Sequence, residues 1–126
     1  MGYIIELSIV IKKLTNFTQK KHLLLDNAKK NNYTDYNEFS EYINKKYKYI
    51  LTFEFNDEKD ILNFIIFVKN TPKIYIESIF MDKTNTLIYA STHYIKIMQP
   101  EKAKEYINKK KNCELYNTAP NIIKLL

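Results

Sequence analysis

Tyr33-Thr34-Asp35-Tyr36-Asn37-Glu38-Phe39-Ser40-Glu41-Tyr42-Ile43-Asn44 is the stretch that decides the fold of this chain. Read as a helix, it gathers Tyr36, Phe39, Tyr42 and Ile43 into one stripe. Read as a strand, it is an irregular, tyrosine-rich edge. The strand is preferred, because it completes a sensible topology with its neighbours.

Downstream, Asn44-Lys45-Lys46 reads as a turn. Beyond it Tyr47, Tyr49, Leu51, Phe53 and Phe55 alternate with Lys48, Ile50, Thr52 and Glu54. That period of two predicts a strand over Tyr47–Phe55, with its ring-rich face toward the core. Upstream, Thr15–Asn31 reads as a helix. Thr15 or Asn16 is placed to cap it, Phe17, Leu24, Leu25 and Ala28 share a face, and Lys29 and Lys30 close it. Before it, Tyr3, Ile5, Leu7, Ile9 and Ile11 alternate with Ile4, Glu6, Ser8, Val10 and Lys12, which predicts a first strand over Gly2–Lys12.

On the other side, Asp57–Asn70 reads as a helix, with Asn56 or Asp57 as its cap and acids in its first turn. Ile61, Phe64, Ile65 and Val68 form its core stripe. Leu62, Ile66 and Phe67 widen that stripe, so the helix needs deep burial or a second apolar neighbour. Thr71-Pro72 stops it. Two strands, Lys73–Met81 and Thr86–Ile97, are expected next, joined by Asp82-Lys83-Thr84-Asn85. Pro100 opens a last helix. Its Ala103, Tyr106 and Ile107 are expected to face inward, and Lys109, Lys110 and Lys111 end it.

In order, the elements read β-α-β-β-α-β, then an extra strand, a helix and a tail. The first six match the ferredoxin-like split βαβ arrangement, an antiparallel sheet with helices on one face. The expected fold class is therefore α+β. One domain spans residues 1–111, and an apolar tail spans 112–126. The length of 126 residues suits a single core, and 14% aromatic residues speak against disorder.

The formal charge is +6, and every basic residue is a lysine. Lys, Asn, Ile and Tyr abound while Gly occurs once, the signature of AT-rich codons. Part of the lysine excess is thus compositional. The absence of Arg removes the best bidentate reader of phosphate and guanine. A single Gly excludes phosphate-binding loops and dinucleotide fingerprints. The lone Cys113 excludes an internal disulfide and a thiolate zinc site, and fits a reducing compartment. No apolar run is long enough to cross a membrane, and Met1–Ile11 reads as a strand, not a signal peptide. The sequons at Asn16 and Asn32 are expected by chance. No cofactor is implied.

Several runs carry a resemblance: Tyr3-Ile4-Ile5-Glu6-Leu7-Ser8, Ile50-Leu51-Thr52-Phe53-Glu54-Phe55, Asn63-Phe64-Ile65, Tyr75-Ile76-Glu77-Ser78-Ile79 and Leu87-Ile88-Tyr89-Ala90-Ser91. Together they resemble small uncharacterised proteins of giant DNA viruses of amoebae, the mimivirus and megavirus group. The resemblance implies a viral source and a host cytoplasm or virion. It implies no chemistry.

Candidate chemistry is sparse. His22, His93 and Cys113 read as residues without a catalytic role, since nucleophiles need an adjacent base. With the ring-rich faces turned inward, Glu6, Glu54 and Glu77 are expected to line up across the open sheet face. Such grouped carboxylates suit Mg²⁺ or Mn²⁺ and phosphodiester chemistry. The same face offers no rings on its two central strands, which argues against base stacking there. Lysine patches at Lys45, Lys46 and Lys48 and at Lys109, Lys110 and Lys111 could grip nucleic acid without sequence preference. Ile4, Val10, Ile50, Leu62, Ile66, Ile122 and Ile123 exceed what one small sandwich buries, and so mark an interface.

The leading expectation is a non-enzymatic interaction or structural protein. It would be a homodimer, or would pair with a host or viral protein. Nucleic-acid binding ranks second and the metal enzyme third.

Overall fold

The computed structural model describes residues 2–11, 14–82 and 85–126. The chain runs β1 (Tyr3–Ile11), α1 (Leu14–Lys30), β2 (Asp35–Ile43), β3 (Lys46–Phe55), α2 (Glu58–Lys69), β4 (Ile74–Met81), β5 (Thr86–Ala90), α3 (Thr92–Ile97), α4 (Pro100–Lys111), α5 (Glu114–Thr118) and α6 (Pro120–Leu125). Lys12 of the expected first strand, and Lys83 and Thr84 of the expected hairpin loop, lie outside the described residues. Helix α1 begins at Leu14, so Thr15 and Asn16 sit inside its first turn and not at its cap.

The five strands form one antiparallel sheet in the order β2-β3-β1-β4-β5. Within the stretch 33–44, Asp35–Ile43 is a strand, as its neighbours require. Asn44 and Lys45, both at positive φ (52° and 63°), make a two-residue hairpin loop. Positive φ at both central residues gives the twist that flanking strands prefer.

The period-two pattern sets the core. Ile5, Leu7 and Ile9 of β1 and Leu51, Phe53 and Phe55 of β3 are fully buried beneath α1 and α2. Phe53 is a hub. Its ring meets Tyr36 and Phe64 at 4.9 Å each and Tyr33 edge-on at 6.0 Å. Phe17 of α1 stacks on Tyr49. Asp57 occupies the N-cap position of α2, but its side chain makes no capping hydrogen bond.

Three expectations are corrected. The strand expected over Thr86–Ile97 ends at Ala90. Ser91 then caps α3, its hydroxyl accepting from the Tyr94 N–H at 3.0 Å. A serine with extended backbone just before a helix satisfies one of its orphan N–H groups, and that local bond ends the strand.

The tail is not free. Residues 114–125 form α5 and α6, and Leu115, Ala119 and Ile122 are buried. Helix α6 lies along α2, where Asn121 Nδ2 donates to Glu58 Oε1 at 2.8 Å and Lys69 donates to the Leu125 carbonyl. The wide apolar surface of α2 thus meets a partner within the same chain. In α4, Tyr106 is buried and Ile107 is exposed, the reverse of expectation for Ile107. Tyr106 is turned inward to accept from the Ala90 N–H at 3.0 Å, which satisfies a donor at the end of β5.

Candidate functional site

The face of the sheet opposite α1 and α2 carries ordered rows. Phe39, Ile50, Ser8 and Tyr75 lie side by side across β2, β3, β1 and β4. Asn37, Thr52, Glu6 and Ser78 form the next row, and Asp35, Glu54, Ile4 and Phe80 the one beyond. Helix α3 packs on β4 and β5 and reaches over part of this face.

Glu77 is the centre of that covered part. The register slips between Glu6 and Leu7, which face Ser78 and Ile76, so Glu77 has no direct partner on β1. Such a bulge re-aims a side chain. Here it turns Glu77 toward Ser8, whose hydroxyl donates to one carboxylate oxygen at 2.7 Å. The Ser91 hydroxyl donates to the other at 2.8 Å. The residue is 6% exposed, and these charge-assisted bonds offset the hydration it loses.

Beside it, Lys48 Nζ lies 2.9 Å from His93 Nε2. An ammonium has only donors, so this ring nitrogen accepts. Both histidines are exposed, His22 on α1 and His93 on α3.

Burial raises the pKa of the Glu6 carboxyl, the nearby Glu77 charge raises it further, and Lys48 opposes both. The consequence has a definite sign. A carboxyl with a raised folded pKa binds more protons folded than unfolded, so its contribution is most favourable below the ordinary carboxylate value. That contribution falls as pH rises through the raised pKa. Glu6→Gln should therefore raise the melting temperature at pH 7 and leave it unchanged at pH 3, measured by circular dichroism. Tyr94 of α3 is also pushed up, first by burial and then by Glu6, which places α3 against this carboxylate.

Ser78 is fully buried in the same region, and its hydroxyl has no hydrogen-bond partner. Ser78→Ala removes an uncompensated polar group and should stabilise the protein by about 1 kcal/mol in urea unfolding.

The expected carboxylate triad does not assemble. Glu77 is sealed by two serines, Glu54 lies near Gly2 and Asp82, and Glu6 sits opposite Ser78. Among the described residues no group of three His, Cys, Asp or Glu side chains is placed to hold a metal ion. The bulge and α3 are the physical reasons.

The expected interface residues also divide. Ile122 is fully buried in the main core and unavailable to any partner, because α6 docks it there. Leu62 and Ile123 are half-buried against the core, while Ile4 and Ile50 are half-buried on the strands. Val10 and Ile66 are exposed.

The lysines fall on separate elements. Lys45 is in the hairpin loop, Lys46 and Lys48 are on β3, and Lys109 to Lys111 end α4, where Lys109 pairs with Glu105 at 3.1 Å. Cys113 is an exposed free thiol at the start of α5.

No family model, curated protein or solved structure matches this chain. Function therefore rests on geometry. Among the described residues no helix is long and apolar enough to cross a membrane.

Two features were missed in the sequence. Phe39 and Tyr75, each 57% exposed, put rings on the open face from its flanking strands, where only the central strands had been considered. Strand β2 is an edge strand paired only with β3, whereas on the other edge the Ala90 N–H of β5 is taken by Tyr106.

Proposed function

We propose that this chain is a non-enzymatic interaction protein that pairs with a second copy of itself through β2. The observation that carries the reading is the bare outer edge of that strand. Nine residues, Asp35–Ile43, pair only with β3, and their register shows no bulge. Unprotected edges invite another strand, and natural sheets blunt them above all with bulges, prolines or lysines. None of these occurs in β2, which has only the carboxylates of Asp35, Glu38 and Glu41.

Two copies related by a two-fold axis form a closed, self-complementary interface. A pairing centred on Phe39 sets Glu38 opposite Ser40 and Glu41 opposite Asn37. No two carboxylates then face each other directly, and the two Phe39 rings form a cross-strand pair.

This reading agrees with the giant-virus resemblance and with a working place in host cytoplasm or virion. We also read β1 to β4 with α1 and α2 as a ferredoxin-like βαββαβ unit, to which β5 adds a fifth strand at the β4 edge.

Sedimentation velocity from micromolar to near-millimolar protein tests the pairing. The mass should rise from 15.1 kDa to twice that value. Phe39→Lys, which sets like charges face to face across the axis, should restore the single-chain mass, while Tyr116→Lys on α5 should not. A wild-type mass that stays at 15.1 kDa throughout overturns the proposal.

A further inference from the structure

Five lysines from four parts of the chain converge at one end of the sheet. Two adjoining cavities, about 770 and 710 Å³, meet there at Val10 and Tyr75. Lys48 of β3 and Lys69 of α2 line the first. Lys20 of α1, Lys46 of β3 and Lys73 before β4 line the second. Glu77 is the one acidic side chain in either lining, and two serine hydroxyls already occupy its oxygens. The whole chain has 20 basic and 14 acidic side chains, so an evenly mixed groove with five lysines would hold about three or four carboxylates. This one is sorted by sign.

Among the described residues none of the five belongs to an ion pair. Three are held by neutral acceptors. Lys20 donates to the Pro72 carbonyl at 2.9 Å, Lys48 to His93, and Lys69 to the Leu125 carbonyl. Their positions are fixed without a salt bridge, although Lys48 has Glu41 across the strand pair and feels the Glu6 charge. Lys73 sits at φ 64°, a left-handed conformation that strains an ordinary side chain. At the junction of the cavities stands the exposed Tyr75 ring, and Val10, Ile74, Ile76 and Tyr89 give the first cavity an apolar wall.

We infer that this groove binds single-stranded nucleic acid, with phosphates along Lys20, Lys46, Lys48, Lys69 and Lys73 and a base against Tyr75. A charged track beside a free ring is the arrangement that holds unpaired strands, because every base has a face to stack. A duplex keeps its bases stacked on one another and offers none to the ring. The track contains no Arg, so the binding has no bidentate guanine contact and little sequence preference. An acidic peptide satisfies the lysines equally but gains no stacking on Tyr75. Asp35 and Glu54 repel a polyanion from the far end of the open face, and Glu41, opposite Lys48, bounds the track on the β2 side.

The test is fluorescence anisotropy with labelled oligo-dT and oligo-U, with poly-glutamate as competitor, at low and physiological salt. The full chain is used throughout, with folding checked by circular dichroism. The double variant Lys46→Glu/Lys73→Glu should weaken binding about tenfold or more and flatten its salt dependence. Lys29→Glu/Lys30→Glu, the same change of net charge on exposed residues ending α1, should leave binding within about twofold of wild type. Tyr75→Leu should cost about fivefold or more without changing the salt dependence.

Equal losses in the two double variants would reduce the effect to net charge and overturn the site. Equal displacement by poly-glutamate and by unlabelled oligo-dT, with no effect of Tyr75→Leu, would overturn nucleic acid as its ligand. None of these readouts depends on pairing through β2, so this inference and the proposed dimer fail separately.

Discussion

Phe53→Ala should be the most damaging single change in the molecule, with a loss of about 3–5 kcal/mol in urea unfolding followed by circular dichroism. The residue is fully buried at the middle of β3 and touches rings from three places in the chain: Tyr33 before β2, Tyr36 within it, and Phe64 on α2. Its removal leaves a cavity that three separate rings would have to move to fill, and rings held by a loop, a strand and a helix collapse poorly. For a domain of this size the corresponding fall in melting temperature is roughly 10–20 °C. Phe53→Leu keeps most of the volume and should cost about a third as much. A loss for Phe53→Ala no larger than that of a surface substitution would show that this ring cluster is not the centre of the core.

The second large effect is expected at Glu77. Ser8→Ala together with Ser91→Ala strips both hydroxyls from a carboxylate that is 6% exposed. Hydrogen bonds to a charged group contribute about 1.5–3 kcal/mol each, so the double variant should lose about 3–5 kcal/mol. Ser91 adds a loss of its own, since it also caps α3. The partners act through one carboxylate, so the two losses will not add. Glu77→Gln in the double background should recover part of the loss, because a neutral amide is cheaper to bury. A double variant as stable as wild type would mean that water reaches Glu77 and takes over both bonds.

Much of the framework was legible from residue spacing. The alternations in β1 and β3 and the stripe of α2 follow from periodicity alone. The strand nature of 35–43 followed from topology, since its own pattern serves a strand or a helix equally well. The end of β5 was also legible, because Ser91-Thr92 is a helix-start signal. It was overlooked because Ile95 and Ile97 continue an apparent alternation.

The tail carried a readable sign too. Leu115, Ala119 and Ile122 recur at helical spacing, and α2 advertised a surplus apolar face for them to cover. The bulge at Glu77 was not legible. No local residue type demands it. That single slip explains why the carboxylate triad failed. It turned an outward-facing acid into a buried one and gave it serine partners from β1 and from the start of α3. The sorting of five lysines into one groove was likewise invisible, because their convergence depends on how four distant segments are brought together.

The strand order also has a consequence in time. Strand β1 is made first, yet it lies at the middle of the sheet and needs β3 and β4 on its two sides. Lys46 follows Ile11 by 35 positions and Ile74 follows it by 63. At roughly 5–20 residues per second, the first partner strand begins to appear some seconds after β1 is complete, and the second later still. Throughout that interval an apolar strand with both edges bare waits outside any sheet. Holdase chaperones that grip extended apolar segments should therefore meet this chain during its synthesis more than after it.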